Sequence, residues 1–481
     1  MWWRFHSHIH SSWAIAVACA CFVLGVFIAL FFSISGWVGL ILFPFLVTLF
    51  FFRQAYIVAL VAVCSLLIGV SYGSAHRVTR EQYASTVGAV ATISGRVKED
   101  ISKSDSGSYS MQLDTVGIDG RAMPGTVLAT SRVTNGALRG DYVTLQGKIK
   151  EGFGSFPATV AVTAIVKVER ESTGDIGRKV RDAFADKVRS VVPDPQASLG
   201  IGFLTGQKSA LPSDLSNALK IAGLTHIVVA SGYNLTILVS MARKLFLKLS
   251  KFLSAISAGG MILAFMAITG LSPSMTRAGL VSGMSLLSWY YGHAFHPFVL
   301  LPIAAALTVL FQPSYVWGDL GWQLSFSAFI GVMVVGPLLQ AYLFGNKEPG
   351  TFRQILGETV AAHLVTVPII VLSFGTISNV AIIANILVVP LVPLAMLLTF
   401  LCGIGAVISL PFIELLAVPT TWLLGYMTNV ATFVSEIPWA QSEVASLPFI
   451  WIAYAVALAL ACLWMWRQTK YSFRKGEVLM G

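Results

Sequence analysis

The chain has 481 residues, of which 56% are hydrophobic and 11% charged, with a formal net charge of +10. Soluble domains carry about 25% charged residues, so the composition excludes a large soluble protein and points to a polytopic membrane protein. The basic excess is spread through loops and tails, where it reports orientation in the bilayer rather than an acidic ligand.

The five cysteines (Cys19, Cys21, Cys64, Cys402 and Cys462) all lie in apolar runs and form no C-x-x-C pair. That pattern indicates neither a disulfide framework nor a zinc site, and no cofactor is expected. Arg4 precedes the apolar run Trp13–Phe32, which exceeds the roughly 7–15 residues of a signal peptide. The run reads as a retained first span. Two more apolar runs follow at once, Gly36–Phe52 and Ala55–Tyr72, with Arg53 in the turn between them. Residues 1–75 are therefore expected to be transmembrane helices.

Residues 76–172 are different material. Val90–Lys98, Tyr109–Val116, Gly125–Ser131, Asp141–Lys150 and Ala158–Glu169 alternate with period two and are separated by Gly, Ser, Asp and Pro turns. This suits a small five-stranded Greek-key barrel of the OB type. Tyr109, Phe153 and Phe156 are candidates for stacking on bases. Core packing or dipping into lipid is the competing account of these rings.

Residues 173–222 read as amphipathic and short helices at the membrane surface. Ile176, Val180, Phe184, Val188 and Val191 recur at helical spacing, opposite Arg178, Lys179, Arg181, Asp182, Lys187 and Arg189. A shorter helix is expected around Asp214–Ala222. Residues 223–466 form the polytopic domain, with spans at Leu224–Leu247, Phe252–Leu271, Met275–Tyr291, Phe298–Phe311, Leu320–Phe344, Thr359–Phe374, Val380–Ile408, Phe412–Ser435 and Leu447–Trp466. Pro390 and Pro393 leave Val380–Ile408 open between one broken helix and a re-entrant segment plus a span. Residues 467–481 are a basic tail. About twelve spans, counted on the ~20-residue rule, put both termini in the cytoplasm and the barrel outside.

The run from Gly223 to Val239, G-L-T-H-I-V-V-A-S-G-Y-N-L-T-I-L-V, is too polar for a mere anchor. Polar groups at bilayer depth are tolerated where they are buried in protein or line a wet cavity. His226, Ser231, Gly232, Asn234 and Thr236 are therefore candidates for lining a pathway. So are Arg277, Asp319, Gln323, Ser325, Asn379 and Asn385 in later spans. Ser231-Gly232 can break the helix and leave a new N-terminus at Tyr233-Asn234 that favours anions. Arg277 offers a planar fork for phosphate oxygens, with snorkelling or a pair with Asp319 as the alternatives. His226 fits a packing role equally well, and Glu414 and Asn429 suit helix-to-helix glue. Gly202–Ser209 fails as a P-loop because its second Gly does not directly precede the Lys. His6, His8 and His10 lack further ligands for a metal.

G-L-T-H-I-V-V-A-S-G-Y-N, Gly270-Leu-Ser-Pro-Ser-Met-Thr-Arg277-Ala278 and Asp319-Leu-Gly-Trp-Gln-Leu-Ser325-Phe326 together resemble the motifs of the ComEC competence proteins, inner-membrane channels for DNA uptake in natural transformation. The order of parts agrees over nearly the whole chain. The resemblance implies a channel for single-stranded DNA in the bacterial cytoplasmic membrane. It also implies a separate cytoplasmic ATPase or single-strand-binding protein, an external DNA receptor and a separate nuclease. Whether the chain self-associates is left open. Asn234 stands where many members have His. The zinc-ligand run of the nuclease domain that many members carry is missing, so no enzymatic activity is expected of this sequence. A transporter or flippase of an anionic metabolite or lipid is the alternative reading.

Overall fold

The structure is a computed structural model. It describes residues 11–49, 55–104, 107–170, 175–207, 211–228, 232–270, 272–292, 296–345, 350–445 and 447–471. The chain forms two compact units, Met1–Ile176 with Leu287–Gln323, and Gly177–Leu286 with Leu324–Gly481.

The first unit opens with three helices: α1 (Ser11–Ile28), α2 (Gly36–Leu49) and α3 (Ala55–Ala84). Glycines let α1 and α3 approach backbone to backbone, the small-residue mode of packing in membranes. A Cβ on Gly25 would stand 2.1 Å from the Leu66 carbonyl oxygen, and one on Gly69 would stand 2.2 Å from that of Phe22. Neither backbone can yield. Gly69→Val is therefore expected to force α1 and α3 apart at a cost of about 1–3 kcal/mol or more. A lowered midpoint in detergent melting of the full-length protein checks this. A melt matching the wild type would show that the helices can part at no cost.

α3 runs beyond its apolar half, past the predicted end at Tyr72, and delivers the chain to the barrel. Tyr83 sits in the barrel core with its hydroxyl donating to the Pro124 carbonyl at 2.9 Å. Five long strands follow: β1 (Val90–Val97), β2 (Tyr109–Ile118), β3 (Val127–Ser131), β4 (Tyr142–Glu151) and β5 (Ala158–Glu169). β1 pairs with β4, β4 with β5, β5 with β3, β3 with β2, and β2 again with β1. The circuit closes. All pairs are antiparallel except β5–β3, which is parallel. Period-two alternation turns Ile93, Val97, Met111, Leu113, Ala129, Val143, Leu145 and Val160 inward, all almost wholly buried.

Beyond the barrel come α4 (Ile176–Arg189), α5 (Gln196–Thr205), α6 (Ser213–Ile221), α7 (Thr225–Val228), α8 (Gly232–Leu247), α9 (Lys251–Thr269) and α10 (Pro273–Tyr291). They are followed by α11 (Pro297–Phe311), α12 (Tyr315–Gly318), α13 (Leu320–Ile330), α14 (Gly336–Phe344) and α15 (Thr351–Phe374). The short strands β6 (Thr376–Ser378) and β7 (Gln441–Glu443) pair across α16 (Ala381–Val388), α17 (Val392–Val407) and α18 (Ile413–Ser435), and α19 (Pro448–Thr469) closes the chain. A π-helical turn, Gly331–Val335, joins α13 to α14. Among the described residues, six helices are long and apolar enough to cross a membrane: Ile57–Ala84, Lys251–Thr269, Leu320–Phe344, Arg353–Phe374, Ala381–Val407 and Pro448–Thr469. Shorter apolar helices cover Ser12–Ile28, Gly36–Leu49 and Pro297–Phe311. The doubtful Val380–Ile408 stretch is one helical path with a single 3-10 turn, Val389–Leu391, at its prolines.

Two features of the second unit depart from expectation. α4 exists, but its apolar stripe is only partly inward. Val188 is buried and Phe184 meets Phe400, while Ile176 and Val180 are exposed. Arg178 and Arg181 are buried instead, reaching Asp182 at 3.6 and 3.0 Å. Positions 178, 181, 185 and 188 also share one helix face, and long arginine stems bury readily when their heads find a carboxylate. The second departure is α5, not anticipated at all, which is buried from Ala197 through Thr205. Asp194 caps its start by accepting from the Ser198 amide at 3.0 Å. Gly200 admits Thr399, whose Oγ1 would be 2.6 Å from an added Cβ. The helix belongs to the centre of this unit's core.

Candidate functional site

The polar run after Gly223 does not form one continuous span. α7 reaches Val228 and α8 starts at Gly232, with residues 229–231 between them outside the described residues. Asn234 Nδ2 nevertheless lies 3.0 Å from the Ile227 carbonyl seven residues earlier. That is too close for one straight α-helix, which rises about 10 Å over seven residues, so α7 and α8 are two helices. Ser231 itself lies outside the described residues. A broken helix leaves backbone carbonyls without intrahelical donors, which is costly away from water.

Asn234 answers that need. It has no exposed surface, and its Nδ2 donates to the Phe203 carbonyl of α5 and to the Ile227 carbonyl of α7, both at 3.0 Å. Its side chain thus lines no opening in this structure. It fastens the buried helix α5 and the short helix α7 to the start of α8. His226 is placed differently: its side chain is exposed. Its Nδ1 lies 3.0 Å from the Gly223 carbonyl. Thr236, also exposed, donates back to the Gly232 carbonyl at 2.8 Å.

Within the second unit the start of α8, α10 and the later part of α13 meet. A Cβ on Gly232 would lie 3.4 Å from the Ala278 methyl, which brings the start of α8 against α10. One residue earlier, the Arg277 guanidinium is buried under the Phe326 ring of α13, 5.9 Å from its centroid. That distance is within cation–π range. Ser325 is half-buried beside Phe326. Asp319 is a helix cap, accepting from the Trp322 amide as α13 begins, and Gln323 donates to the Val316 carbonyl at 3.1 Å.

Two expected residues sit apart from this convergence. Asn379 is exposed and its Nδ2 donates to the Trp439 carbonyl at 2.8 Å and to Ser442 Oγ at 2.6 Å, tying β6 to the β7 strand. Asn385 is buried in α16, and its Oδ1 has no hydrogen-bond partner among the described residues. A residue pair that sequence reasoning left unconnected is Tyr233 and Glu358. Tyr233 is exposed on the first turn of α8, and Glu358 lies on α15. Gln354 donates to Glu358 Oε1 at 3.0 Å.

On the barrel, Phe153 is 72% exposed at the tip of the β4–β5 loop, whereas Phe156 is half-buried. Tyr109 is half-buried with Lys103 Nζ 5.9 Å from its ring centroid. Glu99 follows β1, with Gln112 donating to its Oε2 at 3.0 Å and its Oε1 buried without a partner. Burial pushes its carboxyl above the usual carboxylate range. Lys98 and Arg139 oppose the shift, and Asp319 and Asp100 add to it. A raised folded-state value means the stability it contributes is complete below the unfolded carboxylate pKa and lost as pH rises through the folded value. Glu99→Gln is therefore expected to leave the barrel at least as stable at neutral pH and to flatten that loss. Hydrogen exchange of β1 and β2 in the full chain, followed from acid to neutral pH, measures it. A variant less protected than wild type at neutral pH would contradict the sign.

Comparison with known proteins places the chain in one family. The sequence model of the competence protein family matches residues 203–469, more than half of the chain. ComE operon protein 3 of Bacillus subtilis (strain 168) is 22% identical over 255 residues, covering 50% of this chain and 31% of that protein. The match thus spans about a third of that relative's length. No solved structure matches the chain. The matched region takes in α7 and α8, Arg277 and the Asp319–Phe326 segment, and the chain belongs to the competence protein family, the ComEC family that its motifs resemble.

Proposed function

We propose that this protein carries single-stranded DNA across the cytoplasmic membrane during competence, with the barrel receiving the strand outside and the polytopic domain forming the passage. The observation that carries the reading is the broken helix. The start of α8, α10 and the later part of α13 meet beside it, with His226 exposed and Arg277 buried beneath one ring. Such a break is tolerated at bilayer depth only where it is buried in protein or faces a wet cavity. His226 and Thr236 line the passage, and Asn234 holds its frame.

The barrel supports the same reading. Its closed five-strand circuit with one parallel pair has the strand order of an OB-fold, whose β4–β5 loop and second and third strands take up oligonucleotides. Phe153 and Tyr109 occupy that loop and that strand. The loop charges favour about twelve spans with both termini cytoplasmic. Each phosphate drawn into a negative interior meets about 2.3 kcal/mol per 100 mV. A cytoplasmic motor or strand-binding protein therefore supplies the bias, and a separate protein degrades the other strand.

The test is uptake of labelled DNA in a deletion strain with and without the wild-type gene. Loss on deletion and recovery on complementation are expected. Normal uptake in the deletion strain overturns the proposal. A flippase would instead leave DNA uptake intact and alter the distribution of an anionic lipid.

A further inference from the structure

The β4–β5 loop has two working sides. One side shows Phe153, 72% exposed. The other is seated on the turn that precedes α13, within the same compact unit. A Cβ on Gly318 would lie 2.2 Å from both the carbonyl carbon of Gly154 and the amide nitrogen of Ser155. Gly154 itself has φ +61°, and an added Cβ there would meet the Gly318 carbonyl oxygen at 2.7 Å. Arg80 donates to the Gly154 carbonyl, and Ser155 is buried. Such a seat takes glycine on both faces, because every larger side chain meets backbone that cannot step aside.

The loop is also closed on itself. A Cβ on Gly152 would come within 2.4 Å of the Phe156 carbonyl oxygen and 2.5 Å of that of Pro157. The Phe156 amide donates to the Phe153 carbonyl at 3.1 Å. A displacement of Phe153 is therefore not absorbed within the loop; close-packed backbone transmits it. The receiving turn, α12 with Gly318, leads directly into Asp319, the cap of α13.

We propose that this loop couples the two sides: a single strand stacking on Phe153 and the seating of Gly154 on Gly318 bias each other, so that arrival of a strand at the barrel is registered at the start of α13. The coupling rests on the reading that the barrel receives a strand. A ligand shifts a two-state element only by its differential affinity for the two states, and by linkage the effect runs in both directions.

The experiment is hydrogen exchange of the full-length protein in detergent, with and without a single-stranded oligothymidylate, together with oligonucleotide affinities of two variants. Exchange is expected to change over 152–156 and over 315–323. Phe153→Ala is expected to weaken binding about fivefold or more, the lower end of base–aromatic stacking. Gly318→Val lies outside the barrel strands and is expected to change the affinity about fivefold, at the lower end of allosteric couplings. If the oligonucleotide binds and alters 152–156 but leaves 315–323 unchanged, the coupling is overturned while strand reception stands. Unchanged binding by Phe153→Ala overturns the loop's part in it. Complete absence of binding removes strand reception, and the coupling falls with it. Should Gly318→Val fail to fold, the exchange pattern of the wild type still decides.

Discussion

Replacing Asn234 by aspartate is expected to abolish DNA uptake, and replacing it by histidine to leave a measurable part. The amide serves two carbonyls, those of Phe203 and Ile227, in a site with no exposure. Leaving a buried acceptor without its donor costs about 1–3 kcal/mol, and two are lost together. Aspartate adds a further penalty because its carboxylate would face those same carbonyl oxygens in a buried site, where an unpaired charge is very costly. Histidine, the residue that the resemblance leads one to expect here, keeps one N–H. The order of uptake should therefore be Asn, then His, then Asp. The order of melting midpoints in detergent should match, since the residue acts by holding helices together. Wild-type uptake by Asn234→Asp would show that the fastening of α5 and α7 to α8 is dispensable.

The second large effect is expected at Arg277. Burying a charge is costly and alanine carries none, so Arg277→Ala is expected to leave the protein folded and abundant. Uptake is expected to fall by about tenfold or more, the equivalent of one lost charge-assisted hydrogen bond of ~1.4 kcal/mol or more. Arg277→Lys keeps the charge but loses the planar fork and the stacking on Phe326, and should fall between the two. Measured together, uptake and protein level separate a transport defect from a folding defect. Unchanged uptake with Arg277→Ala would remove phosphate handling from this residue and leave the passage itself standing. The burial of the guanidinium beside the Phe326 ring follows from packing between α10 and α13 and has no signature in the local sequence.

Much of the architecture was legible before any coordinates. Apolar runs of span length name most of the membrane helices, because in hydrocarbon a backbone must satisfy itself and a long apolar helix is the simplest way to do so. Leu320–Phe344 is an example: the run and the helical stretch coincide. Period-two alternation named all five barrel strands, since one face of each must be buried. The signals failed where burial did not follow composition. α3 continues through a polar stretch because backbone hydrogen bonds, not side chains, carry a helix onward. α5 escaped notice because a ten-residue helix of small and apolar residues has no amphipathic period when every face is covered. In α4 two faces were compatible with the sequence, and packing chose the one bearing Arg178 and Arg181.

The polar run after Gly223 shows the same division. Its residue types alone show that the run is no ordinary anchor and that Ser231-Gly232 can break a helix, and its motif joins those around Arg277 and Asp319–Phe326 in one family resemblance. Which side chains are exposed and which are spent as struts was decided only by tertiary structure. His226 and Asn234 are eight residues apart in one motif, equally polar and equally out of place in hydrocarbon. One stands open and the other is sealed between two carbonyls, because the carbonyls that need a donor come from α5 and α7, and their position is set by folding rather than by the sequence near Asn234.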